Sequence, residues 1–240
     1  MKLLGINIDH IATLRNVRNS PFPSLPRAVD VINHCQGIAC ITIHLREDRR
    51  HIIDTDAKLL CLTSPIPINL EIACTDEMLN FAITHKPKSV CIVPEKREEM
   101  TTESGLDVIK NQERLAFAIK KLHNAGIKVS LFVDPVVSHI TAAKEIDADI
   151  IEIHTGKYAN ATGSSQKQEL ERIKASACLI AKFNMECHAG HGLNYTNILA
   201  IATIPEISLF NIGHFLICES VFIGLEKAIN TMHKIINNIK

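Results

Sequence analysis

The sequence has no excess of charge of either sign, with 26 lysines and arginines against 26 aspartates and glutamates. Proteins that bind nucleic acids or membrane surfaces usually carry a basic patch or a strong net charge, so neither partner is expected. No apolar run approaches the roughly 20 residues of a membrane span. Asp9 and His10 interrupt the first apolar run too early for a signal peptide. We therefore expect a cytoplasmic protein.

Two sequence motifs are also missing. None of the eight cysteines forms a C-x-x-C pair, and most lie inside apolar segments, as Cys40 and Cys91 do. This pattern favours small buried side chains in a reducing compartment over disulfides or a zinc site. Residues 9–13, which follow the first predicted strand, contain no glycine. A dinucleotide-binding fold would carry a glycine-rich turn there, so no redox cofactor is expected.

What the sequence does contain is an alternation of short apolar runs with helix-length segments. The runs are rich in Ile, Val and Leu, as strands buried on both faces require. Eight strands are predicted, over residues 3–9, 41–45, 68–73, 89–94, 128–134, 150–155, 184–190 and 206–213. With 240 residues, of which 46% are hydrophobic, the chain is just under the usual size of one (β/α)₈ domain. We predict a single (β/α)₈ TIM barrel over residues 1–240.

The segments between the strands, and residues 220–239 near the end of the chain, are long enough for helices and support this architecture. Residues 112–124 place Leu115, Ile119 and Leu122 at helical spacing, and Gly37 and Gly126 lie where helices should end. An open, doubly wound sheet is the main alternative. The number of strands and the missing glycine-rich turn favour the closed barrel.

Nearly every predicted strand ends in a side chain that can transfer a proton or bind an anion. In a parallel barrel these strand ends converge on one mouth, so residues far apart in sequence form one site. The strand-end residues are Asn7, Asp9, His10, His44, Arg46, Glu71, Glu95, Asp134, Glu152, His154, His191 and His214. A purely structural polar network is the alternative. Glu71 either pairs with a cation or has a raised pKa suited to acid–base catalysis, and its spacing fits both.

Two groups of residues suit phosphate binding. His191-Gly192 and Gly213-His214 follow the seventh and eighth predicted strands, where many barrels hold a phosphate on backbone N–H groups. Arg46 and His51 together would suit a second phosphate, because arginine offers a fork of donors. The long polar segment 94–107 predicts a lid over the substrate, with Thr101 able to bind phosphate.

Two functions of other classes compete with a barrel enzyme that uses acid–base groups on phosphorylated substrates. The first is a metal-dependent barrel hydrolase that uses His10, His188 and His191. The spacing of His188 and His191 is short for two ligands on one strand, so we expect no metal. The second is a barrel that binds a phosphorylated metabolite without turnover.

Residues 7–16, 44–51, 93–97, 152–156, 189–193 and 211–214 closely resemble segments of the pyridoxine 5′-phosphate synthase family. The resemblance extends from about Leu4 to the last helix. It implies a (β/α)₈ barrel with extra helices, assembled into a homo-octamer. It also implies a transferase-class, ring-closing reaction between 3-amino-2-oxopropyl phosphate and 1-deoxy-D-xylulose 5-phosphate, which gives pyridoxine 5′-phosphate, inorganic phosphate and water. No cofactor or metal is implied.

The resemblance also implies a role for each matching residue. His44 and Glu71 match general acid–base groups, His191 a proton donor, and Glu152 the residue that stabilises the transition state. The positions that match binding sites for 1-deoxy-D-xylulose 5-phosphate are Asp9, His10, Arg46, His51 and Thr101. Those that match binding sites for 3-amino-2-oxopropyl phosphate are Asn7, Arg18, Gly192, Gly213 and His214. The chain departs from the family at Asn19 and Ser104, where glycine is usual, and at His188, where asparagine is usual.

Overall fold

The computed structural model describes residues 1–95 and 104–238. Eight parallel strands close into a barrel in chain order, and the last strand pairs with the first. The strands are β1 Leu3–Asn7, β2 Ile38–His44, β3 Ile68–Ile72, β4 Ser89–Ile92, β5 Lys128–Val133, β6 Ile150–His154, β7 Glu186–Gly190 and β8 Ile207–Ile212. The predicted (β/α)₈ barrel is confirmed. The tip of the predicted lid, including Thr101, lies outside the described residues.

Helices surround the barrel, and there are more of them than one for each strand, as the resemblance implies. They are α1 Asp9–Arg18, α2 Leu25–Asn33, α3 Asp54–Thr63, α4 Asp76–His85, α5 Gln112–Asn124, α6 Val137–Glu145, α7 Gly156–Asn160, α8 Gly163–Lys182, α9 Ile198–Ala202, α10 His214–Ile223 and α11 Leu225–Asn237. In the described part of the chain, no helix combines the length and the apolar character needed to cross a membrane.

The first strand is shorter than predicted, because Asp9 and His10 belong to helix α1. The Asn7 side chain accepts a hydrogen bond from the Asp9 backbone N–H at 3.0 Å, which turns the chain out of the strand. Asp9 then lies at the positive end of the helix dipole. The helix ends at Asn19, whose φ of 46° is the left-handed conformation that glycine adopts readily. This departure from the family therefore leaves the helix end intact.

The C-terminal helix, predicted over residues 220–239, is instead two helices, α10 and α11. Gly224 separates them with a φ of 83°. A residue with a Cβ atom would be strained in this conformation, so glycine allows the chain to change direction there.

The interior of the barrel is polar along one line. The Ser89 hydroxyl donates to Asn69 at 2.8 Å, the Asn69 amide to Thr42 at 3.3 Å, the Thr42 hydroxyl to Asn211 at 3.1 Å, and the Asn211 amide to Glu152 at 2.5 Å. We call Ser89, Asn69, Thr42, Asn211 and Glu152 the interior polar ladder. Thr42 reaches Asn211 across β1 because the residue between them is Gly5. A Cβ atom at this position would collide with the Asn211 side chain.

Candidate active site

One cavity of about 520 Å³ opens where the carboxyl ends of the strands converge. Most of the predicted site residues line it: Asn7, Asp9, His10, His44, Arg46, His51, Glu71, Glu152, His191, Gly192, Gly213 and His214. Arg18 is exposed on α1 and is not among the lining residues. The position of Thr101 lies outside the described residues. The topology therefore brings together groups that are as far apart in sequence as Asn7 and His214.

Some lining residues were missed by the sequence reasoning. Val93, Phe132 and Phe215 add apolar groups to the cavity wall. Asn211 was given no role, although it lies in the cavity wall and donates to Glu152. A signal for it was present, because Asn211 interrupts an apolar strand in the same way as Glu71 does.

The two glutamates of the cavity are both held in surroundings that favour the neutral acid. Burial raises the pKa of Glu152 to about 7, against the opposing hydrogen bond from Asn211. Burial, with the nearby Glu152 and Asp9, raises the pKa of Glu71 well above its usual range. The nearest imidazole nitrogen, Nδ1 of His44, lies 3.8 Å from Glu71 Oε2, beyond hydrogen-bond distance. Of the two alternatives for Glu71, these surroundings match a raised pKa and not a close pairing with a cation.

The raised pKa of Glu152 predicts a cost of folding at alkaline pH. The folded state keeps its proton up to about pH 7, whereas the unfolded chain releases it near pH 4.5, so this contribution to stability falls as pH rises between those values. We expect Glu152→Gln to raise the free energy of unfolding near pH 8.5 by up to about 3 kcal/mol, and to change it much less near pH 5. Urea denaturation at both pH values measures this.

The exposed Glu113→Gln is the control for this measurement, since it removes a carboxyl without removing a buried charge. A Glu152→Gln effect of the same size at both pH values would contradict the prediction.

Asp9 holds the ends of β1 and β2 in position. Its Oδ1 accepts the backbone N–H of His44 at 2.9 Å, and its Oδ2 accepts the Asn7 amide at 2.9 Å. The carboxylate also lies 3.9 Å from Nδ1 of His51. The buried Asp9 therefore fixes the Asn7 side chain and the His44 backbone, and it lies near the His51 ring.

Replacing Asp9 should destabilise the protein in a way that depends on the acceptor that remains. Asp9→Ala leaves the buried His44 N–H without a partner, which costs about 1–3 kcal/mol. Asp9→Asn keeps a side-chain oxygen in the same place, so we expect it to cost less. Chemical denaturation of both variants tests this, and equal losses of stability would show that the His44 N–H finds another acceptor.

Three pairs of imidazoles surround the cavity. The ring centroids of His10 and His214 are 4.9 Å apart, those of His44 and His51 5.9 Å, and those of His154 and His191 5.0 Å. Burial lowers the pKa of His10 and of His51, so both are predominantly neutral at pH 7. A neutral imidazole can both donate and accept a hydrogen bond, which suits substrates with carbonyl and hydroxyl oxygens.

His191 has an unusual backbone conformation, with a φ of 82°. The Thr155 hydroxyl lies 2.7 Å from the Gly190 carbonyl oxygen and 2.6 Å from that of His191, and holds this turn in place. Non-glycine residues in this region are uncommon and concentrate at functional sites. Beside it, His154 interacts with Asp134 at 2.9 Å, a pairing to which the sequence reasoning gave no role.

Two groups of cavity residues have the features of anion sites. In the first group, Gly192 has a φ of 74° and Gly213 precedes helix α10, whose first turn has no side-chain cap. Helix N-termini present backbone N–H groups to anions. A Cβ atom at Gly213 would lie 2.8 Å from that of Asn7, so the close approach requires glycine. The second group is Arg46 and His51, which also line the cavity.

The cluster of possible metal ligands differs from the one that the hydrolase alternative requires, which is His10, His188 and His191. In the described residues, one group of three has its ligand-type atoms within 4.8 Å of one another: Asp9, His44 and His51. Neither His188 nor His191 belongs to it. His188 instead lies 3.5 Å from Glu186 and is not among the cavity-lining residues. In the described part of the chain, His10, His188 and His191 therefore do not form a cluster of metal ligands.

Comparison with known proteins gives a family and close relatives. Residues 4–238 match the family described as Pyridoxal phosphate biosynthesis protein PdxJ. The pyridoxine 5′-phosphate synthase of Blochmanniella pennsylvanica is 51% identical over 237 residues, covering 98% of this chain and 97% of the relative. That of Zymomonas mobilis is 51% identical over 229 residues, covering 95% and 89%.

Among solved structures, a thiamine phosphate pyrophosphorylase from Pyrococcus furiosus superposes with a TM-score of 0.60. It covers 99% of this chain and 96% of that one, at 13% sequence identity. At this level of identity the match reports the barrel fold alone.

Proposed function

The chain belongs to the PdxJ family and is an enzyme of pyridoxine biosynthesis, and we propose that it condenses 3-amino-2-oxopropyl phosphate with 1-deoxy-D-xylulose 5-phosphate to give pyridoxine 5′-phosphate. The main support is the convergence of nearly all the family-matched residues on one cavity, whose wall contains two groups of residues that suit anions. Two phosphorylated substrates require two such groups. The apolar residues of the cavity wall suit the ring that forms between the substrates.

The proposed chemistry needs several proton transfers in one place. The amine of one substrate attacks the ketone of the other and water leaves, which forms an imine. A carbon–carbon bond then closes the ring, and inorganic phosphate and a second water leave as it becomes aromatic. His44 and Glu71 move protons in these steps, and His191 donates one late in the sequence. Groups whose pKa lies near neutrality can serve more than one step, as the raised pKa of Glu152 permits.

We assign the binding roles to two groups of residues. Asn7, Gly192, Gly213 and His214 lie near the start of α10, where we place the phosphate of the amino ketone. We assign Arg18 to the same substrate on the resemblance alone. We assign Asp9, His10, Arg46, His51 and Thr101 to the deoxyxylulose phosphate, with Thr101 on the resemblance alone. Asp9 and His10 also contact Asn7 and His214, so the two substrates would meet there.

The test is to supply both substrates and detect pyridoxine 5′-phosphate by mass and by absorbance, together with one inorganic phosphate for each product. Omitting either substrate should abolish both signals. Binding of both substrates without turnover would instead support a non-catalytic barrel. Loss of activity after metal removal, and recovery on adding the metal back, would support a metal-dependent enzyme.

We also propose that the chain is a single domain that works in the cytoplasm as a homo-octamer. Leu14 and Val17 on α1, and Val221 and Phe222 on α10, are more than half exposed, and α1 packs against α10. Assembly would cover such apolar groups. All eight cysteines are free, as a reducing compartment would maintain. Light scattering on the purified protein tests the octamer.

A further inference from the structure

Glu95 has a buried carboxylate beside the imidazole of His44. It follows β4, and its side chain is only 1% exposed. One carboxylate oxygen, Oε1, accepts the backbone N–H of Glu47 at 2.9 Å. The other, Oε2, lies 3.6 Å from Nε2 of His44. His44 lines the cavity and Glu95 does not, so Glu95 approaches the imidazole from outside the cavity lining.

The His44 imidazole therefore lies between two carboxyl groups. Its Nε2 faces Glu95, while its Nδ1 lies 3.8 Å from Glu71 on the cavity side. The two carboxyls differ in their surroundings. Burial alone would raise the pKa of Glu95, but His44, the Glu47 N–H and Arg46 outweigh it and lower that pKa. The pKa of Glu71 is raised. Glu95 is thus the ionised carboxylate and Glu71 the one that can hold a proton.

We propose that Glu95 is a positioning residue that keeps the proton of neutral His44 on Nε2, so that Nδ1 is left as the proton acceptor facing Glu71 and the substrate. An anion beside one ring nitrogen selects the tautomer with its proton on that nitrogen, and stabilises the imidazolium that forms when the other nitrogen accepts a proton. This inference rests on the proposed function only where it concerns the catalytic use of His44.

The surroundings of His44 allow the effect of Glu95 to be isolated. Among residues 1–95 and 104–238, the charged or titratable groups near this histidine are Asp9, His51, Glu71 and Glu95, with Arg46 beside His51 and Glu95. Glu95 also lies 3.8 Å from Nε of Arg46. Its replacement could therefore act through the phosphate site instead of through the imidazole. A control must remove a carboxylate from Arg46 and leave His44 untouched.

Asp48→Asn is that control, because Asp48 lies 3.4 Å from Nε of Arg46. We expect Glu95→Gln to lower kcat by about 10²-fold or more, with little change in either KM. The acidic limb of its kcat–pH profile should move to lower pH, because the imidazolium loses its counter-ion. Asp48→Asn should keep the wild-type kcat and pH profile. A Glu95→Gln variant that changes only KM, or that leaves the acidic limb in place, would overturn the proposal.

The tautomer can be measured without substrates. Solid-state ¹⁵N spectra of sedimented protein, labelled only at histidine, distinguish a protonated Nε2 from a protonated Nδ1 whatever the assembly size, and His44→Asn identifies the resonances by their loss. We expect neutral His44 to carry its proton on Nε2 in the wild type, with a mixture in Glu95→Gln. A proton on Nδ1 in the wild type would refute the proposal even if Glu95→Gln does not fold. The expected tautomer in a protein that makes no pyridoxine phosphate would refute only the proposed function.

Discussion

Glu71→Gln is expected to abolish turnover, with a loss of roughly 10²–10⁴-fold in rate, while the barrel remains folded. Glutamine has nearly the same volume and keeps the hydrogen-bonding atoms, but it cannot take up or release a proton. The loss should be large because Glu71 has a raised pKa and lies beside His44 in the cavity wall. Removing a buried titratable group should also leave the stability at neutral pH unchanged or increased.

The measurement is the steady-state rate with both substrates, accompanied by circular dichroism to verify folding. The matched control is Glu145→Gln, which makes the same change on the exposed end of α6. It should retain wild-type activity. A folded Glu71→Gln variant with wild-type activity would remove Glu71 from the mechanism.

His191→Asn should still bind both substrates but stall after they condense. His191 is held at a positive φ by the turn that follows β7, and its ring lies in the wall of the same cavity as His44 and Glu71. Asparagine adopts positive φ comparatively well, so the turn should survive. It cannot supply a proton as a general acid, and the expected loss in rate is roughly 10²–10⁴-fold.

Rapid-quench analysis should then detect an accumulated adduct of the two substrates. His188→Asn is a matched control on β7, the strand that precedes His191, since His188 lies outside the cavity lining and asparagine is the residue that the family resemblance leads one to expect there. Its kinetics should resemble those of the wild type. If His191→Asn binds both substrates and yields neither adduct nor product, His191 acts before the condensation.

The barrel and most of the cavity could be predicted because both depend on local patterns. Apolar runs at regular intervals identified the strands, and parallel closure then placed their polar ends together. The errors occurred where a boundary depends on one hydrogen bond or one backbone angle. The Asn7 side chain ends β1 two residues early, and Gly224 divides the last predicted helix. Neither feature changes the apolar pattern from which the elements were predicted.

The contacts between strands were harder to predict. The sequence analysis assigns no role to Asn211, because nothing in the sequence of β8 shows that its amide donates to Glu152 on β6. The sequence indicates that Glu95 is an acid at the end of a strand. Its proposed role depends on the distance to the His44 imidazole, which lies on another strand. Arg18 was assigned by resemblance alone, and it lies exposed on α1 instead of lining the cavity.

The interior polar ladder has a consequence for how the sequence can diverge. Each member from Asn69 to Asn211 both donates and accepts within the ladder, so a single apolar replacement removes one hydrogen bond from each of two neighbours. The changes in the free energy of unfolding caused by substitutions at neighbouring ladder residues should therefore be strongly non-additive. Thr42 and Asn69 are expected to be replaced together or not at all, and the order in which substitutions arise should decide which of them a lineage can accept.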